Sequence, residues 1–237
     1  MSSSAITEIL DDRAMRDLAR AMIDATDSAP PHARHIIGIA GIGGAGKSTF
    51  ASKLITHIRH ALPDQPEFAR LIPMDGFHLR NEELAALNLR DRKGSPPSFD
   101  VVAYIALLRR CKTDRSQSIL FPIYDRASHE PVHPTDIQHT ITPATRLIIT
   151  EGNYLLLDQP PWSELAHVLN QCWFLDTPQA QAKAWILARH QRGNRTAENA
   201  LRHYETNDLP NAMLAMSSMR QPDRIVRLAF DSAPSAI

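Results

Sequence analysis

The stretch HIIGIAGIGGAGKSTF, from His35 to Phe50, joins a short apolar run to a glycine-rich turn and the start of a helical pattern. The run HIIGIA has the length and the β-branched content of a buried strand. Beyond the turn, Phe50, Leu54 and Ile58 recur at the spacing of one helix face until Pro63 ends the pattern. The sequence therefore predicts a strand, a tight turn and a helix in direct succession.

The glycine-rich turn between this strand and this helix matches two phosphate-binding patterns. Gly41, Gly43 and Gly46 fit G-x-G-x-x-G, the turn that seats a dinucleotide. The same turn, continued by Lys47 and Ser48, fits G-x-x-x-x-G-K-[ST], the P-loop. A triphosphate site uses an ammonium for the β- and γ-phosphates and a hydroxyl for magnesium, whereas a dinucleotide site uses neither group. The lysine and serine therefore favour a nucleoside triphosphate.

The P-loop pattern assigns a contact to each part of the turn. Backbone amides should cradle phosphate, Lys47 should act on the transferred phosphate, and Ser48 should ligate Mg²⁺. The predicted nucleotide-binding residues are Gly41, Gly43, Gly44, Ala45, Gly46, Lys47, Ser48 and Thr49.

The composition is that of an ordinary globular protein. The chain has 237 residues, of which 43% are hydrophobic and 22% are charged. Lysine plus arginine and aspartate plus glutamate each number 26, so the basic excess typical of nucleic-acid binders is missing. Two cysteines suit a reducing compartment and are too few for a four-thiolate metal site. We therefore expect no nucleic-acid partner.

The N-terminal stretch is too acidic for a transit peptide and lacks the unbroken apolar run of a secretory signal. Ile6, Leu10, Leu18 and Met22 recur at helical spacing, which predicts an amphipathic helix within residues 1–28. Apolar runs anywhere in the chain fall well short of 18 residues, so we expect no membrane span and a cytoplasmic protein.

Apolar runs alternate with helical patterns along the rest of the chain. The predicted strands lie at 35–40, 70–74, 146–150, 172–176 and 224–230. The predicted helices lie at 47–62, 79–90, 100–112 and 178–192, with another after 196. Strands that are apolar throughout and separated by helices predict a mainly parallel sheet covered on both faces. We therefore take residues 1–237 as one α/β domain.

Residues 113–145 interrupt this alternation with four prolines and little helical period. A connection of this length is functional or disordered, and the run ILFPIY at its start favours an ordered element. We expect this excursion to lie on the substrate side of the domain.

Acidic residues follow two of the predicted strands. Asp75 ends the strand of LIPMDGFHL, and Glu151 ends the strand of RLIITEGNYLLL. Because ligands of parallel α/β sheets bind at the carboxyl edge, both acids should face the phosphates. Asp75 is predicted to be a general base, and Glu151 a ligand of Mg²⁺ directly or through water. The chain contains neither the guanine motif N-K-x-D nor an ABC-type signature.

Six segments together carry a family resemblance: GIGGAGKST, MDGFHL, RKGSPPSFD, FPIYDR, EGNYLLL and RHQRGN. In this order they resemble the P-loop kinases that include uridine kinase, bacterial pantothenate kinase and phosphoribulokinase. Within that group they are most similar to bacterial kinases described as nucleoside-kinase-like or linked to fructose transport. The resemblance implies a five-stranded parallel core in a three-layer P-loop fold, ATP with Mg²⁺, and transfer of the γ-phosphoryl group to a hydroxyl. It also implies that Asp75 is the base and that FPIYDR lines the acceptor pocket.

The chain departs from each of these relatives in the acceptor region. Uridine kinases have Asp-Ser-Phe-Tyr or Asp-Asp-Phe-Tyr in place of the segment DGFH, and pantothenate kinases have Tyr-Asp-His in place of YDR. The predicted acceptor-binding residues are Asp75, Phe77, His78, Lys93, Tyr124 and Arg126. This set lacks a large positive excess, so we expect a neutral or singly charged alcohol: a nucleoside, a pantothenate-like acid or a free sugar.

Two segments near the C-terminal end have more than one interpretation. Arg189 and Arg192 precede a glycine, which is typical of an ordinary helix end; the resemblance implies instead a catalytic lid at about 189–200 whose arginines clamp the transferred phosphate. The segment NDLPNA, at 207–212, predicts a helix start capped by Asp208. An ATPase switch with water as acceptor remains the alternative to a small-molecule kinase, and a homodimer stays open.

Overall fold

The computed structural model describes residues 6–30 and 33–228, which form an α/β fold of three layers. The strands in chain order are β1 (Ile6–Leu10), β2 (His35–Ala40), β3 (Ala69–Pro73), β4 (Ile119–Leu120), β5 (Ile123–Asp125), β6 (Glu130–Val132), β7 (Thr140–Ile141), β8 (Leu147–Gly152), β9 (Gln171–Leu175) and β10 (Arg224–Leu228). The helices are α1 (Asp12–Asp27), α2 (Lys47–Ala61), α3 (Asn81–Ala86), α4 (Val101–Thr113), α5 (Gln179–Arg192), α6 (Ala197–His203) and α7 (Leu209–Ser217). The five predicted strands correspond to β2, β3, β8, β9 and β10.

The main sheet has the order β1-β10-β9-β2-β8-β3, and every neighbouring pair is parallel. Parallel strands end at a common edge, so the segments that follow β2, β3 and β8 meet there. Glu151 near the end of β8 is in register with Ile39 of β2 on one side and Pro73 of β3 on the other. This register brings the P-loop and both predicted acids to one place.

The core consists of two clusters of buried side chains, one on each face of the sheet. Ile36 and Ile148 belong to one cluster, which includes residues of α4, whereas Ile37 and Ile149 belong to the other, which includes residues of α1 and α2. Successive residues of a strand point to opposite faces, so the alternation within β2 and β8 places the clusters on opposite sides. The predicted parallel sheet with helices on both faces is confirmed.

The N-terminal helix prediction is wrong for its first part. Residues Ile6–Leu10 form β1, which extends the sheet as a sixth strand beside β10. Asp11 accepts a hydrogen bond from the backbone N–H of Ala14 at 2.7 Å, and this N-cap starts α1 at the next residue. Leu18 and Met22 are buried on α1 as predicted. The first five residues lie outside the described residues.

The predicted helix at 79–90 is shorter in the structure. Helix α3 ends at Ala86, and Asn88, with a φ of 55°, adopts the left-handed backbone that terminates helices. The start of α4 agrees with the prediction, since Asp100 accepts from the backbone N–H of Ala103 at 2.9 Å.

The proline-rich excursion at 113–145 is ordered. It forms two small antiparallel pairs, β4 with β7 and β5 with β6. Arg34 is 1% exposed and fastens the base of the excursion. Its guanidinium donates to the carbonyl oxygens of Cys111, Asp114, Thr142 and Thr145 at 2.6–2.9 Å. The hairpin of β5 and β6 is thereby presented to the carboxyl edge of the main sheet.

Across the described ranges, the structure contains no helix that combines the length and the apolar character needed to cross a membrane.

Candidate active site

The P-loop connects β2 to α2 and is packed against α5. Gly44 and Gly46 have φ angles of 75° and 89°, which glycine adopts without strain. A Cβ atom on Gly44 would lie 2.4 Å from the carbonyl oxygen of Ala182 and 2.7 Å from Cγ1 of Ile186. Glycine is therefore required here both for the backbone conformation and for the close approach of α5.

The start of α2 gives the P-loop its affinity for anions. The first backbone N–H groups of an α-helix have no partner within the helix, and the helix dipole favours negative charge at this end. The hydroxyl of Thr177 donates to the carbonyl oxygen of Ala45 at 2.9 Å and fixes the turn from the β9 side. The turn therefore presents backbone N–H groups at the carboxyl edge of the sheet, as the predicted phosphate site requires.

Lys47 is buried beneath this turn. Its Nζ donates to the carbonyl oxygen of Ile42 at 2.9 Å and to Oδ1 of Asn153 at 2.6 Å. Burial lowers the pKa of Lys47, the Glu151 and Asp75 carboxylates oppose that shift, and Arg189 adds to it. The charges of both predicted acids and of the first lid arginine therefore act on the predicted cation.

Ser48 and Glu151, the predicted ligands of Mg²⁺, contact each other. The Ser48 hydroxyl donates to Oε1 of Glu151 at 2.9 Å, and the Glu151 side chain is buried. Burial, followed by the repulsion of Asp75, raises the pKa of Glu151, and Lys47 counteracts this rise. Mg²⁺ selects oxygen ligands such as a hydroxyl and a carboxylate. The negative charge of Glu151 is not fully offset by Lys47, so Ser48 and Glu151 fit this ion.

Asp75 lies on a single 3₁₀ turn, Met74–Phe77, directly after β3. A Cβ atom on Gly76 would lie 2.1 Å from the carbonyl oxygen of Pro122, so only glycine allows this turn to touch the excursion. The contact places the turn that carries Asp75 next to the start of β5. The charge of Asp75 acts on both Lys47 and Tyr124, so it lies within electrostatic reach of the P-loop and of the excursion.

His78 continues from Asp75 into an aromatic group. Its Nδ1 lies 2.8 Å from the backbone carbonyl oxygen of Asp75. Its ring centroid is 4.0 Å from that of Phe99 and 4.8 Å from that of Tyr124. Burial lowers the pKa of His78, so the ring is neutral at pH 7 and donates from Nδ1 to the carbonyl. The imidazole is therefore a fixed, uncharged surface beside the predicted base.

Lys93 and Arg126 are the cations of the same region. Nζ of Lys93 lies 5.3 Å from the centre of the Tyr124 ring and donates to Oδ1 of Asn81 and to the carbonyl oxygen of His129, both at 2.6 Å. Burial raises the pKa of both Glu151 and Tyr124, and the charge of the exposed Arg126 opposes that rise. We call the set His78, Lys93, Tyr124 and Arg126 the acceptor wall.

Phe77 does not belong to this wall. It is 6% exposed, and its ring packs in the core with its centroid 5.0 Å from that of Tyr104. The sequence placed it in the pocket because it adjoins Asp75, but the 3₁₀ turn directs it inward. Its role is to anchor the turn that carries the acid.

Two residues of the site were missed by sequence reasoning. Asn153 bonds Lys47, and its position two residues after Glu151 in the segment EGN was the available signal. Phe99 stacks on His78 and lies 21 residues further along the chain, in the segment RKGSPPSFD that carries part of the resemblance; that segment was the available signal, although nothing local predicts the contact. An isolated bridge between His78 and Phe99 brings the two together.

The arginines of the predicted lid lie on the last turn of α5. Arg189 and Arg192 are both exposed, and the charge of Arg189 acts on Lys47. The helix ends before Gly193 as predicted. The predicted cap is wrong: the Asp208 side chain makes no cap hydrogen bond and instead accepts from Nε2 of His190 at 2.8 Å.

A P-loop whose serine contacts a strand-end acid at the carboxyl edge of a parallel sheet, with a second acid at the end of the next strand, defines a P-loop nucleoside-triphosphate protein. No protein-family model matches the chain. Two relatives cover most of it. The Escherichia coli K12 protein YggC, itself uncharacterised, is 33% identical over 87% of this chain and 83% of its own. A Schizosaccharomyces pombe protein named as a candidate uridine kinase is 32% identical over 82% of this chain and 83% of its own.

A solved structure supports the same relationship. The crystal structure of a candidate fructose transport system kinase from Silicibacter sp. TM1040 superposes with a TM-score of 0.78 at 28% identity, over 90% of this chain and 98% of that chain. The chain belongs to the family of P-loop kinases that includes the uridine and pantothenate kinases, and it is a kinase.

Proposed function

We propose that the protein transfers the γ-phosphoryl group of ATP, in the presence of Mg²⁺, to a hydroxyl group of a small molecule. The observation that carries this proposal is the position of Asp75. The turn that carries Asp75 follows β3, whose Pro73 is in register with Glu151, and Gly76 of the same turn packs against Pro122 at the start of the hairpin. The charge of Asp75 acts on Lys47 and on Tyr124. A base between a triphosphate site and a separate wall is what phosphoryl transfer to an alcohol requires.

The P-loop residues bind and orient the triphosphate. The backbone amides at the start of α2 hold the phosphates, and Lys47 exchanges its contacts with Ile42 and Asn153 for phosphate oxygens. Ser48 and Glu151 would hold Mg²⁺, which supplies charge neutralisation at the phosphates when bound. Of the two acids, Glu151 suits the metal because it already contacts the P-loop serine.

Asp75 accepts the proton of the acceptor. The acceptor oxygen forms a bond to the γ-phosphorus, the bond to the β–γ bridging oxygen breaks, and ADP leaves. The hydroxyl proton passes to the Asp75 carboxylate. Positioned general bases of this kind contribute roughly 10²–10⁴-fold to the rate.

Arg189 and Arg192 act as the phosphate clamp. They lie three positions apart on α5 and therefore on one side of the helix. The last turn of α5 also lies beyond the P-loop contact made by Ile186, so a small movement of this turn brings guanidinium groups to the transferred phosphate.

The acceptor wall favours a neutral or singly charged alcohol. His78 is uncharged, and Lys93 already has two hydrogen-bond acceptors, so Arg126 supplies the available positive charge. A guanidinium can bind a carboxylate or a pair of sugar hydroxyls in a bidentate manner. A nucleoside, a pantothenate-like acid and a free ketose all satisfy these conditions, whereas a sugar bisphosphate does not.

A coupled assay of ADP release tests the proposal. Uridine, cytidine, nicotinamide riboside, pantothenate and several ketoses are supplied one at a time with saturating Mg-ATP. We expect slow release alone and a many-fold rise with one class of acceptor. Full turnover with ATP alone, unaffected by every acceptor, would instead establish water as the acceptor and the ATPase switch as the function.

A further inference from the structure

The segment NDLPNA takes no part in the proposed transfer, yet the side chains of its first two residues, Asn207 and Asp208, each make a hydrogen bond to a distant segment of the chain. Residues Tyr204–Asp208 form one π-helical turn between α6 and α7. Such turns are rare and occur often at functional sites. The π turn directs Asn207 toward the loop of Lys93 and Asp208 toward the end of α5.

Asn207 holds the loop that carries Lys93. Its side chain is buried, and Nδ2 donates to the backbone carbonyl oxygen of Lys93 at 2.9 Å. The next residue, Gly94, has a φ of 94°, and its carbonyl oxygen accepts from the Tyr154 hydroxyl at 2.6 Å. The backbone behind this part of the acceptor wall therefore depends on Asn207.

Asp208 holds the end of α5. It accepts from Nε2 of His190 at 2.8 Å, and the two side chains are only 17% and 15% exposed. His190 adjoins Arg189, whose charge acts on Lys47. The orientation of the last turn of α5, and of the arginines on it, therefore depends on Asp208.

We infer that Asn207 and Asp208 are positioning residues that link the acceptor wall to the lid helix. They are consecutive residues on one packed turn, so a displacement of the Lys93 loop reaches α5 through a single rigid element. An acceptor that binds and orders the Lys93 loop thereby also orders Arg189 and Arg192 near the transferred phosphate. This inference rests on the proposed function for its kinetic consequence but not for its structural one.

The same cluster is a poor metal site. The ring of His203 meets that of His190 edge-on at 4.9 Å, so two imidazoles and the Asp208 carboxylate offer ligand atoms within 4.8 Å of one another. The charge of Arg195, however, acts on His203 and would repel a divalent cation. The Asp208 carboxylate is also engaged by His190 already. These features suit a bond between helices rather than an ion.

Hydrogen exchange on the full-length, ligand-free protein tests the link. In Asn207→Ala we expect amides of the Lys93 loop and also of the end of α5 to exchange about tenfold faster, the loss that one hydrogen bond implies. Asp208→Ala should accelerate the same two segments. Glu205→Ala, which removes an exposed carboxylate from the same π turn, should change neither segment.

Conservative variants keep the test decisive if the alanine proteins fold poorly. Asp208→Asn retains an oxygen that accepts from His190, so amide exchange in both segments should match the wild type. Asn207→Asp retains the shape of the side chain but cannot donate to the Lys93 carbonyl, so amides of both segments should exchange faster. If each variant affects only the segment that it touches, the link is overturned. It is also overturned if EDTA treatment of the wild type reproduces the Asp208→Ala pattern, because the cluster would then hold a metal.

Kinetics provide a second readout. With the acceptor that stimulates ADP release, Asp208→Ala should lower kcat about tenfold and leave the KM for ATP nearly unchanged, and Asp208→Asn should restore kcat. An equal loss of kcat in Glu205→Ala, or a rise in the KM for ATP alone, would contradict a positioning role. If the wild type responds to no acceptor, the proposed function fails, while the exchange pattern still decides the link.

Discussion

The nucleotide side of the site, which comprises residues 41–49 and Glu151, is built differently from the acceptor wall. One continuous turn supplies nearly all of the nucleotide side, and the register of β2 with β8 adds the acid. The acceptor wall gathers three separate segments, which meet through the contact of Gly76 with Pro122 and through the Tyr124 ring, which lies beside both His78 and Lys93. The difference implies that changes on the nucleotide side affect every acceptor alike, whereas changes on the wall are specific to one acceptor.

Lys47→Ala tests the nucleotide side most severely. We expect phosphoryl transfer to fall to background, because the cation for the β- and γ-phosphates is lost. Burial lowers the pKa of Lys47, so the charged form is disfavoured in the fold and the thermal midpoint without nucleotide should not fall substantially. Lys53→Ala, an exposed change on the same helix, is the control. Retained activity in Lys47→Ala would refute the P-loop assignment.

Asp75→Asn tests the junction between the two regions. Asparagine keeps the shape of the side chain but cannot accept the proton, so kcat should fall by roughly 10²-fold or more while ATP affinity stays similar. Steady-state kinetics with nucleotide titration separate the two quantities. A variant that lost ATP affinity instead would show that Asp75 binds the metal.

Glu151→Gln separates function from stability on the nucleotide side. The Mg²⁺ concentration for half-maximal activity should rise about tenfold or more, since a charged ligand is lost. Because burial raises the pKa of Glu151, the folded state binds its proton more tightly than the unfolded state does, and the ionised form destabilises the metal-free fold at pH 7.

The same substitution should therefore raise the free energy of unfolding of the metal-free protein at pH 7 by an amount typical of single stabilising changes, roughly 0.5–2 kcal/mol, and with it the thermal midpoint. The gain should shrink as the pH falls, because the wild-type carboxyl then becomes protonated. Calorimetry across a pH series checks this sign. A midpoint lowered at pH 7 would mean that the Glu151 charge stabilises the metal-free protein.

Arg126→Ala is the mildest test and addresses the acceptor wall alone. The KM for the acceptor should rise about three- to tenfold while the KM for ATP changes little, because an exposed charge-assisted contact is lost. Arg126→Lys keeps the charge but not the bidentate geometry, so its KM for the acceptor should lie between those of the wild type and Arg126→Ala. An unchanged KM for the acceptor would mean that Arg126 does not line the acceptor pocket and that the pocket lies around residues 93–99.

The sequence predicted the parts of the molecule that are locally encoded. The P-loop, the five predicted strands and the caps at Asp100 and Gly193 depend on neighbouring residues, and they appear where they were predicted. The sequence misassigned Ile6–Leu10 because its apolar spacing suits a helix as well as an edge strand, and only pairing with β10 decides between them. Phe77 and Asp208 were misassigned for the same reason: their partners, Tyr104 and His190, are distant in sequence.

Isotope tracing of the phosphoryl group tests the central claim most directly. The wild type is incubated with ATP labelled with ¹⁸O in the γ-phosphate, Mg²⁺ and the stimulating acceptor, and the products are identified by mass spectrometry. We predict one labelled phosphoryl group on the acceptor, formed in equal amount to ADP, and almost none of this product with Asp75→Asn. If inorganic phosphate is the only labelled product and the acceptor is unmodified, the account is contradicted.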